Sequence, residues 1–210
     1  MTIRPLLYVN NSFSKKTIPS APWMDDKGLE VFKEFSKKTK CYLEFGCGGS
    51  TVYIAKNTTA QNIISVDSDE KWVSDITKEI ITSDKKIYLK YCNIGEVGNW
   101  GVPRNMSHVN NYWSYMTIPW EIAKINKLNP DLILIDGRFR VASFLYSLLC
   151  AEPNSTILFD DYKERPEYFI VEKFCKVDFF SGRMAVFKVE KGFSLSELAK
   201  TIAKYSIITD

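Results

Sequence analysis

The residues that could do chemistry in this sequence are a set of acids at the ends of apolar runs and one glycine-rich turn. Glu44 is followed by Phe45-Gly46-Cys47-Gly48-Gly49-Ser50-Thr51, and Asp67, Asp136 and the pair Asp160 and Asp161 each terminate a short apolar run. A glycine-rich turn feeding a Ser-Thr pair makes a cradle at a helix N-terminus, where backbone N–H groups favour a phosphate-sized or nucleoside-sized ligand. A carboxylate inside a buried strand costs free energy unless it is hydrogen-bonded. Glu44, two residues before Gly46, is placed to reach past the strand end towards that ligand. The turn therefore reads as a nucleoside-cofactor site. A single acid after a strand serves equally well as a helix N-cap. Four at one edge favour a site, because the C-terminal ends of parallel strands line one crevice.

Arg138 and Arg140 flank the Asp136 position. A guanidinium fork binds carboxylate or phosphate bidentately, so either could hold an anionic acceptor, the alternative being an ion pair with Asp136 or Asp160. His108 is the only histidine. Imidazole chemistry makes it a candidate general base, with a structural role as the alternative.

These groups need a frame that sets strand ends side by side. Cys41–Phe45 reads as a first strand, with a helix beginning over 50–56. Residues 62–66 read as a second strand ending in Asp67, and Trp72, Val73, Ile76 and Ile80 mark the buried face of the next helix. Residues 86–92 form a third strand. The near-continuous apolar run 131–135 has the character of a strand covered on both faces. A helix over 139–150 carries Phe144, Leu145, Leu148 and Leu149 on one side, and Thr156–Phe159 is a fifth strand. Strands alternating with helices imply right-handed crossovers and a parallel sheet. A helix near 166–174 leads to a β-hairpin, 176–180 and 184–189, turning at Ser181-Gly182-Arg183. Ser194 and Glu197 form a capping box, with Phe193 and Leu198 as a staple, opening a helix to about Tyr205.

Ahead of the sheet, residues 1–26 with Pro5, Pro19 and Pro22 read as an irregular arm, in which Trp23 and Met24 pack on the body. Leu29, Phe32 and Phe35 mark an amphipathic helix over 27–38. Residues 93–119 are long for a loop and hold Trp100, His108, Tyr112, Trp113, Tyr115 and Met116. That composition argues for a lid or substrate loop rather than disorder.

The 210 residues suit one domain, residues 41–210, with 1–40 packing on it as arm and helix. With 28 basic and 25 acidic residues the net charge is +3. The lysines fall in scattered pairs (Lys15 and Lys16, Lys37 and Lys38, Lys85 and Lys86), a solvated surface rather than a nucleic-acid track. Cys41, Cys47, Cys92, Cys150 and Cys175 form no CxxC pair and no zinc spacing, and sit mostly in apolar runs. An odd, buried set of thiols points to a reduced, cytoplasmic protein. No basic segment precedes an apolar one at the N-terminus, and no run approaches the ~18 residues of a membrane span, so a soluble, unsecreted protein is expected.

In its glycine turn, the acids after strands two and four and the closing hairpin, the chain resembles the class I S-adenosylmethionine-dependent methyltransferases from Cys41 to Val189. The resemblance implies a three-layer α/β/α Rossmann-like fold with a mostly parallel seven-stranded sheet, order 3-2-1-4-5-7-6. By the same resemblance Gly46, Gly48 and Gly49, with Cys47, Ser50 and Thr51, let the backbone approach the methionine part of the cofactor. Asp67, followed by Ser68, takes the ribose hydroxyls, as its two acceptor oxygens allow. Asn93 and Ile94 meet the adenine, although an Asp is commoner there. Glu44 and Asp136 complete the expected cofactor shell.

A nicotinamide-binding Rossmann domain is the rival reading, but its fingerprint needs a third glycine where this chain has Thr51. Nucleic-acid base methyltransferases of this class carry an Asn/Asp-Pro-Pro-aromatic signature after strand four. Here that position reads Asp136-Gly137-Arg138-Phe139, so no nucleic-acid partner is expected. Asp136, Asp160 and Asp161 resemble the ligand set of metal-dependent catechol-type O-methyltransferases. Asp161 stands where that family has Asn, however, and Phe139 where it has a lysine base, so a divalent metal is the secondary reading. The expectation is a transferase of EC class 2.1.1 acting on a small-molecule or sugar-like acceptor at oxygen. Asp136, Asp160, His108 and Arg138 are its candidate catalytic residues. A cofactor-binding protein of this fold without transfer activity is the second hypothesis.

Overall fold

The computed structural model describes residues 18–81 and 83–210. Pro5, Lys15 and Lys16 of the expected arm lie outside them. The chain runs α1 (Asp26–Ser36), β1 (Cys41–Phe45), α2 (Gly49–Asn57), β2 (Asn62–Asp67), α3 (Glu70–Ile80), β3 (Lys86–Tyr91), α4 (Trp113–Ile125), β4 (Leu132–Ile135), α5 (Arg140–Cys150), β5 (Thr156–Phe159), β6 (Val177–Ser181), β7 (Met184–Lys188) and α6 (Leu195–Tyr205). All seven strands join one sheet in the order β3-β2-β1-β4-β5-β7-β6. The first five are parallel, and β7 runs antiparallel to both of its neighbours.

Alternation along each strand builds two cores. Leu43, Phe45, Ile133, Ile135, Ile157 and Phe159 face α4 and α5, joined there by Tyr115, Met116, Phe144 and Leu148. Tyr42, Ile63, Leu132, Leu134 and Leu158 face the other way, against Phe32 of α1, Val52 of α2 and Val73 and Ile76 of α3. The layers are thus helix, sheet, helix, as the alternating pattern requires. Register then sets the site. Phe45 pairs with Val66 on one side and Ile135 on the other, and Ile135 pairs with Phe159. The next residue on each strand is Gly46, Asp67, Asp136 or Asp160, so these four emerge in one row at the C-terminal edge.

Three local expectations need correction. Residues 113–119 are not loop, because α4 starts at Trp113 and carries Pro119 inside it. Burial of Ser114, Tyr115, Met116, Pro119 and Trp120 against the sheet overrides the helix-breaking tendency of proline. The segment Pro166–Lys173 is wound as a 3-10 helix rather than an α-helix. Its two buried residues, Tyr168 and Val171, lie three apart, which a three-residue turn brings onto one side. Cys150 at the end of α5 is exposed, while the other four thiols are buried and free.

In β6 a bulge between Val177 and Phe179 shifts the register against β7. The turn of that hairpin is clasped from the other end of the chain. Asp25 caps α1 through Gly28 N–H at 2.7 Å and also accepts from Arg183 N–H at 2.8 Å. A Cβ on Gly182, whose φ is +60°, would lie 2.2 Å from the Asp25 carboxylate, so this position needs glycine on two counts. No helix among the described residues is long and apolar enough to cross a membrane.

Candidate functional site

The turn after β1 is held from beneath. Glu44 is fully buried and accepts hydrogen bonds from the hydroxyls of Tyr42 at 2.9 Å, Ser50 at 2.6 Å and Thr51. Burial pushes its carboxyl up to about 7, against the pull of those hydroxyls. The Thr51 hydroxyl also accepts from Gly48 N–H at 3.0 Å, so the Glu44 network shapes the turn from inside. Glu44, Ser50 and Thr51 therefore correct the expectation of direct ligand contact: their side chains bond one another and all three residues are buried.

The glycines divide by what surrounds them. Gly46, with φ +94°, packs on Gly137, where a Cβ would lie 2.7 Å from the Gly137 Cα. A Cβ on Gly49 would lie 2.0 Å from the Ala21 carbonyl oxygen of the arm. Both are glycine because another stretch of backbone touches them. Gly48 differs: a Cβ there would meet nothing closer than the Trp72 ring at 4.0 Å. The described residues leave that space open.

Asp67 meets the same turn from the end of β2. One carboxylate oxygen accepts Cys47 N–H at 3.1 Å and the other Asp69 N–H at 3.0 Å, which leaves acceptor capacity on each. Burial pushes this carboxyl up to about 6, opposed by the backbone N–H groups. Trp72 Nε1 donates to the Cys47 carbonyl at 2.7 Å and braces the turn against α3. Ser68 is turned away, its hydroxyl donating to the Gly101 carbonyl at 2.9 Å. Asn93 is exposed, but its side-chain oxygen accepts Gly95 N–H at 3.0 Å. Ile94 is fully buried in the core, which corrects its assignment to an adenine contact. Of the expected cofactor residues, Gly46, Gly48, Asp67, Asn93 and Asp136 keep accessible surface, whereas Cys47, Gly49 and Ser68 are buried along with the residues named above.

On the β4–β5 side the acids meet arginines. Asp160 is 1% exposed, and both of its oxygens are taken by Arg183, at 3.2 Å from Nε and 3.0 Å from Nη2. Asp161 pairs with Arg140 and Arg165 at 3.4 Å each and with Arg183 at 3.0 Å. Arg140 is itself buried, and its fork also reaches the carbonyls of Gly137 at 3.0 Å, Asp160 at 2.9 Å and Asp136 at 3.1 Å. Carboxylate oxygens of Asp136, Asp160 and Asp161 lie within 4.8 Å of one another, a spacing that suits a cation. The guanidinium groups fill that role, so the donor set does not fit a divalent metal, and Asp160 is closed to acid–base work.

Asp136 is the exception in this cluster. Its Oδ1 accepts from Arg140 Nη2 at 3.2 Å, and its side chain keeps 29% of its surface open. Burial pushes the carboxyl up to about 7, with Arg140 opposing and Asp160 and Asp161 reinforcing the rise. That range suits a general base at neutral pH. His108 does not join it. The imidazole lies against Gly95 in an exposed loop and bonds its neighbour Ser107 at 2.9 Å, with no hydrogen bond to any of the acids.

Several contributors were not among the expected site residues. Tyr115 places its hydroxyl at the Gly46–Gly137 contact and accepts Arg138 N–H at 3.3 Å. Arg183 donates to the Trp23 carbonyl at 3.0 Å as well as to the acids, which ties the arm over the strand ends. The Trp23 ring meets Trp100 edge-on at 6.4 Å, with both rings exposed. Only the position of Arg183 at a hairpin tip beside β5 could have suggested it.

No protein-family model matches this sequence, and no curated protein does. Solved structures do. A methyltransferase-like protein from Silicibacter pomeroyi DSS-3 aligns over 91% of this chain and 100% of its own, with 26% identity and a TM-score of 0.82. A methyltransferase from Geobacter sulfurreducens aligns over 81% of this chain and 82% of its own, with 10% identity and a TM-score of 0.52. Together with the strand order, these likenesses give the chain the class I, Rossmann-like methyltransferase fold.

Proposed function

We propose that this chain binds S-adenosyl-L-methionine over the turn between β1 and α2 and transfers a methyl group to a small-molecule or sugar-like acceptor, at oxygen. The observation that carries the reading is the space that the described residues leave open at Gly48, next to the Cys47 N–H that the Asp67 carboxylate accepts. The neighbouring Gly46 and Gly49 are filled by Gly137 and Ala21, so among the described residues this is the space left for a ligand. S-adenosylmethionine, when bound, supplies an electrophilic sulfonium methyl, and in-line attack makes positioning and exclusion of water the protein's main contribution. Asp67 accepts the ribose hydroxyls, and the backbone at Gly46 and Gly48 receives the methionine part. Asp136 takes the acceptor's hydroxyl proton on its free oxygen, and Arg138 orients an anionic acceptor. Residues 41–210 act as the transferase domain, with residues 1–40 packing on it. Residues 93–112 and the start of α4 form the acceptor-side wall. A cytoplasmic setting suits the free thiols.

One observation favours a second reading, cofactor binding without transfer: Asp160 and His108 are both out of play, which leaves Asp136 as the single candidate base. Calorimetry with S-adenosylmethionine, S-adenosylhomocysteine and NAD tests the cofactor. Heat is expected from the first two, and tight NAD binding without them overturns the proposal. Labelled methyl incorporation into an extract, lost in Asp136→Asn, supports transfer, whereas none from the wild-type chain across broad extracts supports the second reading.

A further inference from the structure

Trp23 and Trp100 are 78% and 77% exposed, so neither is held in place by burial of its ring. Their backbones hold them instead. Trp23 sits on an arm that lies against the glycine turn. The Ala21 carbonyl occupies the place of a Gly49 Cβ, Pro22 is buried, and Arg183 Nη2 donates to the Trp23 carbonyl at 3.0 Å. Trp100 sits at the tip of a short hairpin. Arg104 N–H donates to the Glu96 carbonyl and Gly98 N–H to the Val102 carbonyl, each at 2.8 Å, and Val97 bridges Pro103. That tip is pinned to the end of β2. The Ser68 hydroxyl donates to the Gly101 carbonyl at 2.9 Å, and a Cβ on Gly101 would lie 3.9 Å from Asp67 Oδ1.

The two supports flank Gly48. The arm rests on Gly49, and the hairpin rests on Ser68 and Asp67, whose carboxylate takes the Cys47 N–H. From these two sides the rings reach one another, edge-on at 6.4 Å with an interplanar angle of 88°. Edge-to-face pairing is favourable, yet this pair leaves most of both rings in water. Trp100 also has φ +60° and ψ +22°, a left-handed conformation that costs a bulky residue free energy. Packing of an exposed ring does not offset that strain. What the ring contact does achieve is to join the arm to the hairpin beside the space that the described residues leave open at Gly48.

We propose that Trp23 and Trp100 form a clasp across the Gly48 space, which a nucleoside-bearing cofactor parts on entry and which recloses over it. The ligand class rests on the cofactor reading above; the ring contact itself does not. Parting breaks one exposed ring pair while the anchors at Ser68 and Arg183 stay made, so the motion is confined to two side chains and the hairpin tip. A clasp that closes on the free and the loaded turn alike slows entry and escape together. A ring that merely touches the ligand would slow escape alone.

The test uses the full chain as wild type, Trp23→Ala, Trp23→Phe and Trp100→Gly, the last keeping the left-handed backbone without the ring. Far-ultraviolet circular dichroism reads the indole pair through its exciton couplet. Stopped-flow mixing with S-adenosylhomocysteine, followed by the fluorescence of the remaining tryptophans, reads exchange. The couplet should be present in the free wild-type chain and lost in Trp23→Ala and Trp100→Gly. In those two variants association and dissociation should both quicken, by roughly tenfold or more, with the affinity moving less than either rate. Trp23→Phe, which keeps an aromatic edge, should retain most of the slow exchange. Exchange rates within about twofold of wild type in both ring-deleted variants overturn the clasp and leave the cofactor reading standing, as does faster dissociation with unchanged association. A wild-type chain without the couplet overturns it as well. No binding of S-adenosylhomocysteine by any of the four chains overturns the cofactor reading and the clasp with it, whereas binding by the ring-deleted variants alone supports a clasp that is shut.

Discussion

The two halves of the strand-end row satisfy their acids by opposite means. At β1 and β2, Glu44 and Asp67 rely on neutral donors, namely hydroxyls and backbone N–H groups. At β4 and β5, Asp136, Asp160 and Asp161 are held by guanidinium groups. Neutral donors stabilise a carboxylate without cancelling its charge, so the first half can change protonation without stranding a charged partner. The second half cannot, because losing one cation strands a buried anion. A polar cradle of low charge thus sits beside a charged brace, and the proposed ligand spans both.

Breaking the brace should have the largest effect. Arg183→Met leaves Asp160 buried and unpaired and should destabilise the chain by about 3–5 kcal/mol in urea unfolding. A loss under about 1 kcal/mol would mean that the two halves are not different in kind.

The cradle should instead show itself through pH. The Glu44 carboxyl rises from 4.5 to about 7 on folding, so the folded chain holds this proton more tightly than the unfolded one. Its contribution is complete below pH 4.5 and is lost as the pH climbs through about 7. Relative to Glu44→Gln, the wild type should lose on the order of 3 kcal/mol between those limits, read from urea midpoints across the range. A difference that stays flat with pH contradicts the assignment.

The smallest effect belongs to ligand binding. Asp67→Asn keeps one backbone hydrogen bond but weakens the acceptor for a ribose, so affinity for S-adenosylhomocysteine should fall about tenfold by calorimetry. Unchanged affinity would place the nucleoside elsewhere.

The sequence carried the sheet almost entirely, since apolar runs of four to six residues ending in acids leave few alternatives to a parallel arrangement. Asp67 and Asp136 were legible as strand-end residues at one edge for the same reason. Glu44 was not, because type and position do not reveal whether Ser50 and Thr51 turn inward to meet a carboxylate or outward to a ligand. Nor was Ile94, where an apolar residue after a strand serves core and adenine equally well. The arginine brace was legible only in part: an ion pair from Arg140 to Asp136 was one of two open readings. Arg183 arrives through a hairpin 23 residues beyond Asp160, a closure that no local pattern encodes. Pro119 misled because proline marks loop ends on average, whereas here tertiary packing holds it inside α4.

The bulge in β6 has a consequence for behaviour at high concentration. Among the described residues the seven-stranded open sheet has two unpaired rims, and each is a template for joining another molecule strand to strand. At one rim β3 exposes Lys86 and Lys90, whose charges repel an identical incoming edge. At the other, β6 exposes Phe179 and Phe180, an inviting apolar surface, but the irregularity at Val177–Phe179 breaks the regular ladder that edge-to-edge growth requires. One rim is guarded by charge and the other by geometry, two different obstacles to edge-to-edge growth.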